Sequence, residues 1–199
     1  TLFNTLIARE KAKTEDVSGS PLPLSTMSAE PYEVPLTLED VYHFLRRSGL
    51  GVKPGIAETL VGKTALEVVD LVFDETTVEF SNPPNWINET TENPRGADIF
   101  TRNSIWGRWD NQFRNFLQWM AGNMFTSRYS ADEKLTLFWS GHFTSEFSFD
   151  EDYIPPQQLY RQYAMFYRDR LGHFPKLVLD ATLDGAMLVY LGGVLNIKG

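Results

Sequence analysis

The sequence predicts an all-α protein, and three observations support this prediction. Apolar residues recur at helical spacing in most segments after residue 37. No segment shows the convincing alternation of apolar and polar residues that a half-buried strand requires. Glycine, proline and capping residues divide the chain into pieces of helical length. We therefore expect an irregular helical bundle, with an extended Pro/Ser-rich arm at its N-terminus and a long surface loop within it.

The arm is expected to span residues 1–36, and the helical domain residues 37–199. We expect a short amphipathic helix over residues 2–13 at the start of the arm. Four prolines follow between residues 18 and 35, and they exclude a long helix or a central strand there. We expect this stretch either to be disordered or to lie across a neighbouring subunit or domain. Its candidate contact residues are Pro21, Pro23 and Tyr32.

Capping signals predict a helical hairpin unit over residues 37–73. Thr37 and Thr64 are good N-caps, and Pro54 suits the first position of a short helix between them. Residues 74–107 are rich in Asn, Pro and Thr, and they predict a long surface loop. We expect this loop to lie on the core through Trp86, Ile87 and Phe100.

Residues 108–199 predict a block of aromatic-rich helices. A buried stripe begins at Trp109, Ser130 is expected to cap the next helix, and a long helix is expected from Pro155 to Leu171, ended by Gly172. Two short helices are expected after it, over residues 176–180 and 185–191. The aromatic side chains are explained by core packing, although a sugar-binding pocket is a further possibility.

Composition excludes several classes of function. The chain has 199 residues and a net charge of −8, which argues against nucleic-acid binding, since that needs a basic face. It has no cysteine, so thiolate catalysis, thiolate metal sites and disulfides are excluded. No apolar stretch approaches the roughly 20 residues that span a bilayer.

Several motifs, in order, resemble a known family. Leu38–Gly51 is similar to the opening His-x-Leu-x-Arg-x-Gly-Phe-Gly pattern of the bacterial domain of unknown function 1800 family. Lys134–Ser145 resembles its central Leu-Phe-Trp-His-x-His-Phe signature. The motifs Arg161–Tyr163, Leu171–Leu177 and Asp184–Leu191 follow in the family's order, and the resemblance covers about residues 37–199. The sequence departs from the family pattern at Ser140, Gly185 and Gly192.

The resemblance implies an exported bacterial protein, periplasmic or at the cell surface, and it implies no reaction. In the family an acid-rich helix would come next, whereas this sequence ends at Gly199 inside a patterned region. The sequence also begins at Thr1. We therefore expect a fragment or processed part of a longer protein, with a domain that is incomplete at its C-terminus.

His142 and Glu146 are weak candidates for metal ligands. They are spaced as i and i+4, but a metal site usually has three or four protein ligands. We therefore favour a structural His142, hydrogen-bonded inside an aromatic core. No cofactor is predicted, and a divalent metal is the alternative.

The favoured function is that of a structural or interaction subunit that packs against other chains, or against a missing part of the same protein. Candidate interface residues near the C-terminus are Met187, Leu188, Tyr190 and Leu191, because an exposed apolar segment there would be unusual in a monomer. The alternative is part of a metal-assisted hydrolase, completed by a missing segment. A carbohydrate-binding module is a third hypothesis. An enzymatic role stays open, and the sequence favours none for this chain alone.

Overall fold

The computed structural model describes residues 32–73, 79–80, 82–148 and 153–193. These residues form α-helices and two 3₁₀ turns and contain no strand, which confirms the all-α prediction. Most of the predicted arm, including Pro21 and Pro23, lies outside the described residues. The helices are α1 (Leu38–Ser48), α2 (Ala65–Val72), α3 (Ile99–Thr126), α4 (Ala131–His142), α5 (Pro156–Asp169), α6 (Phe174–Leu183) and α7 (Gly185–Tyr190).

Reciprocal capping hydrogen bonds fix the starts of α1 and α2. The Thr37 hydroxyl accepts from the backbone N–H of Asp40, and the Asp40 carboxylate accepts from the backbone N–H of Thr37. Thr64 and Glu67 make the same pair at α2. Each box satisfies backbone donors that a helix start leaves free, so both predicted N-caps are confirmed. The prediction of a short α-helix between α1 and α2 is wrong, because the chain forms only a 3₁₀ turn there, Ala57–Thr59.

The segment between α2 and α3 is shorter than the predicted loop. α3 begins at Ile99, inside the range predicted as loop, because Asp98 caps it by accepting from the backbone N–H groups of Phe100 and Thr101. Trp86, in the 3₁₀ turn Asn85–Asn88, is buried as predicted. The prediction for Phe100 is wrong, since this side chain is exposed in the first turn of α3. None of the described helices is long and apolar enough to span a bilayer.

Helix α5 is the centre of the fold. It packs against α3, α4, α6, α7 and the Asn85–Asn88 turn. Most of its residues are buried, and they include the glutamines Gln157 and Gln162 as well as apolar and aromatic side chains. A helix that neighbours cover over most of its surface buries some polar residues too, and these then need internal hydrogen-bond partners.

A separate core cluster holds α1 and α2 together. Val41, Leu45 and Val68 are buried in it, and Ala131 from the start of α4 joins them. Leu36 is also buried, and its backbone pairs with that of Gly62 and Lys63. This extended segment before α1 therefore belongs to the helical domain, although the sequence assigned it to the arm.

The α1 C-terminus meets the turn before α4 at Gly49. The backbone N–H of Leu50 donates to the Ser130 hydroxyl at 2.9 Å, and the Lys134 ammonium donates to the carbonyl of Arg47 at 2.6 Å. Ser130 holds the N-cap position of α4 in a left-handed conformation, with φ of 53°. Its hydroxyl therefore binds the end of α1 instead of capping its own helix. A side chain at position 49 would collide with the carbonyl oxygen of Tyr129.

We expect Gly49→Ala to destabilise the protein by about 1–3 kcal/mol, because a methyl group forced into a packed junction shifts the backbone. Gly51→Ala is the matched control, since a methyl group at that position meets no atom within 4 Å. Urea unfolding followed by tryptophan fluorescence measures both variants. Equal stability of the two variants would contradict the close approach at Gly49.

Candidate functional site

Aromatic side chains form an exposed surface where the end of α4 meets the start of α6. We call Phe138, Trp139, His142, Phe143 and Phe174 the aromatic surface. Phe138 is 57% exposed and Phe174 is 50% exposed. A cluster of partly exposed aromatic side chains is typical of an interaction surface, so this surface is the first candidate for a functional site.

Ring stacking connects the aromatic surface to the core. The Trp139 ring stacks on Phe174 with centroids 5.7 Å apart and on Phe143 with centroids 6.2 Å apart. Phe143 in turn stacks on the fully buried Phe166 of α5 at 6.1 Å. At the outer edge, Phe138 stacks on His142 at 6.2 Å. The exposed rings are thus supported from below by well-packed neighbours, which fixes their positions.

Arg170, just after α5, supports Trp139 from the inside. The Trp139 indole N–H donates to the Arg170 carbonyl at 3.1 Å. Arg170 is 4% exposed, and its guanidinium donates to the Asp132 carboxylate at 2.6 Å and lies 4.3 Å from the centre of the Tyr167 ring. A buried cation is tolerated only with such a set of partners. The pair joins the end of α5 to the first turn of α4.

A second set of ion pairs positions the start of α6 and therefore Phe174. Arg168 pairs with Asp169 beside it and with Asp180 in α6. Lys176, in the first turn of α6, pairs with the same two carboxylates. The four charges link the end of α5 to the exposed side of α6. Because they are partly exposed, each pair contributes little by itself, and the network mainly fixes orientation.

Glu133, which follows Asp132 in the sequence, carries a buried carboxyl group. It lies in the first turn of α4, and one of its oxygens, Oε2, has no hydrogen-bond partner among the described residues. Burial raises the pKa of Glu133, and the neighbouring charge of Asp132 acts in the same direction. Hydrogen bonds to its own backbone and to Ser127, with the charge of Arg170, oppose the rise. Ionised Glu133 is therefore less stable in the folded protein than in water.

The two candidate metal ligands lie in different surroundings. His142 is exposed at the end of α4 and stacks on Phe138, so the interpretation of a histidine inside the core is wrong. Glu146 is exposed and lines a separate cleft between α3 and α5. Among the described residues, no group of three or more His, Cys, Asp or Glu side chains is placed to hold a metal ion.

The candidate interface residues divide into exposed and buried ones. Leu191 is 71% exposed, and Tyr32 and Tyr190 are also exposed. Leu188 is half-buried. Met187 is buried, so its assignment to an exposed apolar segment is wrong. Asp184 starts α7 by accepting from the backbone N–H of Met187, and this turns the methionine toward the domain interior.

The sequence analysis identified the motifs but did not predict that two of them meet at one surface. Phe138 and Trp139 come from one motif and Phe174 from another, 35 positions after Trp139 in the numbering. The sequence analysis predicted no shared surface for these three residues. Helical spacing gave no such signal, because Phe138 lies opposite the polar Glu133 and Thr136, and this pattern predicts a buried Phe138.

Arg170→Met is expected to destabilise the protein by about 3–5 kcal/mol, because it leaves the Asp132 carboxylate in a largely buried site without its cation. The matched control is Arg114→Met, which removes the exposed partner of Asp110 on α3, and there we expect a much smaller loss. Chemical denaturation provides the comparison. Similar losses for the two variants would show that burial adds nothing to the Arg170 pair.

Glu133→Gln is expected to gain stability relative to the natural protein as the pH rises from about 4 to about 8. The folded state raises the pKa of Glu133, so folding favours its protonated form, and the stability that this form gives is lost as the carboxyl ionises. Unfolding free energies across this range measure the difference in slope, with Glu39→Gln, which removes an exposed carboxylate of α1, as control. Parallel curves of unfolding free energy against pH for the natural protein and Glu133→Gln would contradict the raised pKa of Glu133.

Comparison with known proteins places these features in a family. No curated protein and no solved structure matches the chain. A match to the family described as "Protein of unknown function (DUF1800)" covers residues 43–199, which include α2 to α7 and the whole aromatic surface. Two of the motifs that resembled this family in the sequence, Lys134–Ser145 and Leu171–Leu177, contain all the residues of the aromatic surface. The chain belongs to the DUF1800 family.

Proposed function

We propose that this domain has a structural or interaction role and binds another protein surface through the aromatic surface. The observation that supports the proposal is the exposure of Phe138 and Phe174 on a rigid, stacked base. Exposed aromatic side chains held in fixed positions lose little conformational entropy on binding, and such residues often dominate protein interfaces.

The contacts that hold these aromatic side chains in place favour a binding role over an incidental exposure of apolar residues. Trp139 is held by a hydrogen bond to Arg170, and Phe143 by stacking on buried Phe166. A partner would therefore meet a preformed site, with the exposed rings of Phe138 and Phe174 against Trp139 and the charged side chains of Arg168 and Lys176 in the adjoining segment. This combination of an apolar centre and a polar rim is typical of interfaces. The partner is another chain in an assembly or a further part of the same protein.

Export to the periplasm or the cell surface belongs to the same proposal and rests on the family resemblance. Cell fractionation of the natural protein, with detection by antibody, tests it. Recovery in the cytoplasmic fraction would contradict it.

The aromatic surface is tested by its effect on association. We expect the purified domain to associate with increasing concentration and to bind an apolar fluorescent dye, because the surface is uncovered. The double variant Phe138→Asp/Phe174→Asp should lower both signals strongly. Sedimentation velocity and dye titration provide the measurements.

Phe125→Asp is the matched control, because Phe125 is 81% exposed but lies at the end of α3, outside the aromatic surface. A domain that remains monomeric at all concentrations and binds no dye would contradict the proposed role. Equal effects of the control and the double variant would contradict the assignment to this surface.

A further inference from the structure

A cleft separate from the aromatic surface lies between α3, α5 and the segment that follows α4. Its volume is about 430 Å³, within the range of about 300–1,000 Å³ that small-molecule pockets occupy. Apolar side chains of α3, including Phe113, Leu117 and Met120, form one wall. Glu146 and Gln162 are among its polar lining residues. We propose that this cleft binds a small organic amine, with its apolar stem on α3 and its ammonium group at Glu146.

The charge of the cleft favours a cation. Glu146 is exposed and makes no ion pair with the described residues. No lysine, arginine or histidine is among the described residues that line the cleft. The Glu146 carboxylate would therefore repel an anionic ligand, whereas it would attract an ammonium group and accept hydrogen bonds from it. The net charge of −8 adds a weaker attraction for cations over the whole molecule.

The hydrogen-bond chemistry of Gln162 points the same way. Its amide nitrogen donates to the Ser145 hydroxyl and to the Asp184 carboxylate, both at 2.9 Å. Asp184 also accepts from the backbone N–H groups of Ala186 and Met187, so it acts as an acceptor and fixes which end of the amide faces it. The Gln162 oxygen has no partner among the described residues. It therefore remains an acceptor, and a ligand that donates hydrogen bonds matches it.

The apolar wall explains why the ligand needs a stem. Phe113 stacks on Phe147 with ring centroids 4.3 Å apart, and Phe116 and Tyr163 pack edge to face beneath them. These rings and the thioether of Met120 offer an apolar surface that a bare metal ion or a small hydrophilic cation would not use. Aromatic neighbours also attract a cation through their ring faces. An alkyl chain that ends in an ammonium group satisfies both parts of the cleft.

The test uses three probes of equal length, hexylammonium, hexan-1-ol and hexanoate, against the whole chain. Calorimetry gives the affinities, and amide chemical shifts in NMR spectra show whether residues 113–120 and 144–147 respond. We expect hexylammonium to bind most tightly and Glu146→Gln to weaken it about tenfold. Glu39→Gln, which removes an exposed carboxylate far along the chain, should leave the affinity unchanged. Thermal unfolding confirms that each variant is folded.

Charge reversal gives the sharpest comparison. Glu146→Lys should reverse the preference, so that hexanoate binds more tightly than hexylammonium. Equal binding of hexan-1-ol and hexylammonium to the natural chain, or an absence of shifts at the cleft residues, would overturn the proposal. Tighter binding of N-acetyl-lysine methylamide than of hexylammonium would overturn the assignment to a free amine and point to a lysine of a partner protein.

Discussion

The buried ion pair of Arg170 and Asp132 joins the two halves of the aromatic-rich block, and the candidate interaction surface depends on it. The guanidinium lies on the Tyr167 ring and donates to Asp132, while the carbonyl of the same residue accepts from Trp139. One residue therefore fixes the end of α5, the start of α4 and the central ring of the surface. A buried pair of this kind adds little net stability compared with apolar packing, and its main effect is to specify one arrangement.

The burial of most of α5 creates a second constraint, because its buried glutamines need partners inside the protein. Gln157 donates to the Gln112 side chain at 3.3 Å, and Gln112 donates to Glu89 at 2.9 Å. Gln162 donates instead to Ser145 and Asp184. These amides tie the central helix to α3, to the loop before it and to α7. Polar groups in a core thereby select the correct neighbours, whereas apolar groups would tolerate several packings.

Local signals in the sequence predicted much of the fold, and contacts between distant segments decided the rest. Thr37 and Thr64 could be identified because a capping box needs only neighbouring residues. The exposure of His142 and Phe100 could not, since periodicity shows which residues share a face but not what covers that face. Ser130 illustrates the same limit: it was expected to cap its own helix, yet its hydroxyl accepts from Leu50, 80 positions away. The aromatic surface likewise forms only when two motifs meet.

The residues that join the end of α1 to the turn before α4 are far apart in the sequence. This separation affects the order of folding. The hydrogen bonds from Leu50 to Ser130 and from Lys134 to Arg47 close loops of 80 and 87 residues. The entropic cost of loop closure grows by about 0.6 kcal/mol for each doubling of loop length. These two contacts therefore cost more to form than contacts within the α1–α2 unit or within the later helices. We expect the α1–α2 unit to dock late in folding and to separate early in unfolding. An intermediate with α3 to α6 formed and α1 detached would then be the first species to expose Gly49 and the turn before α4.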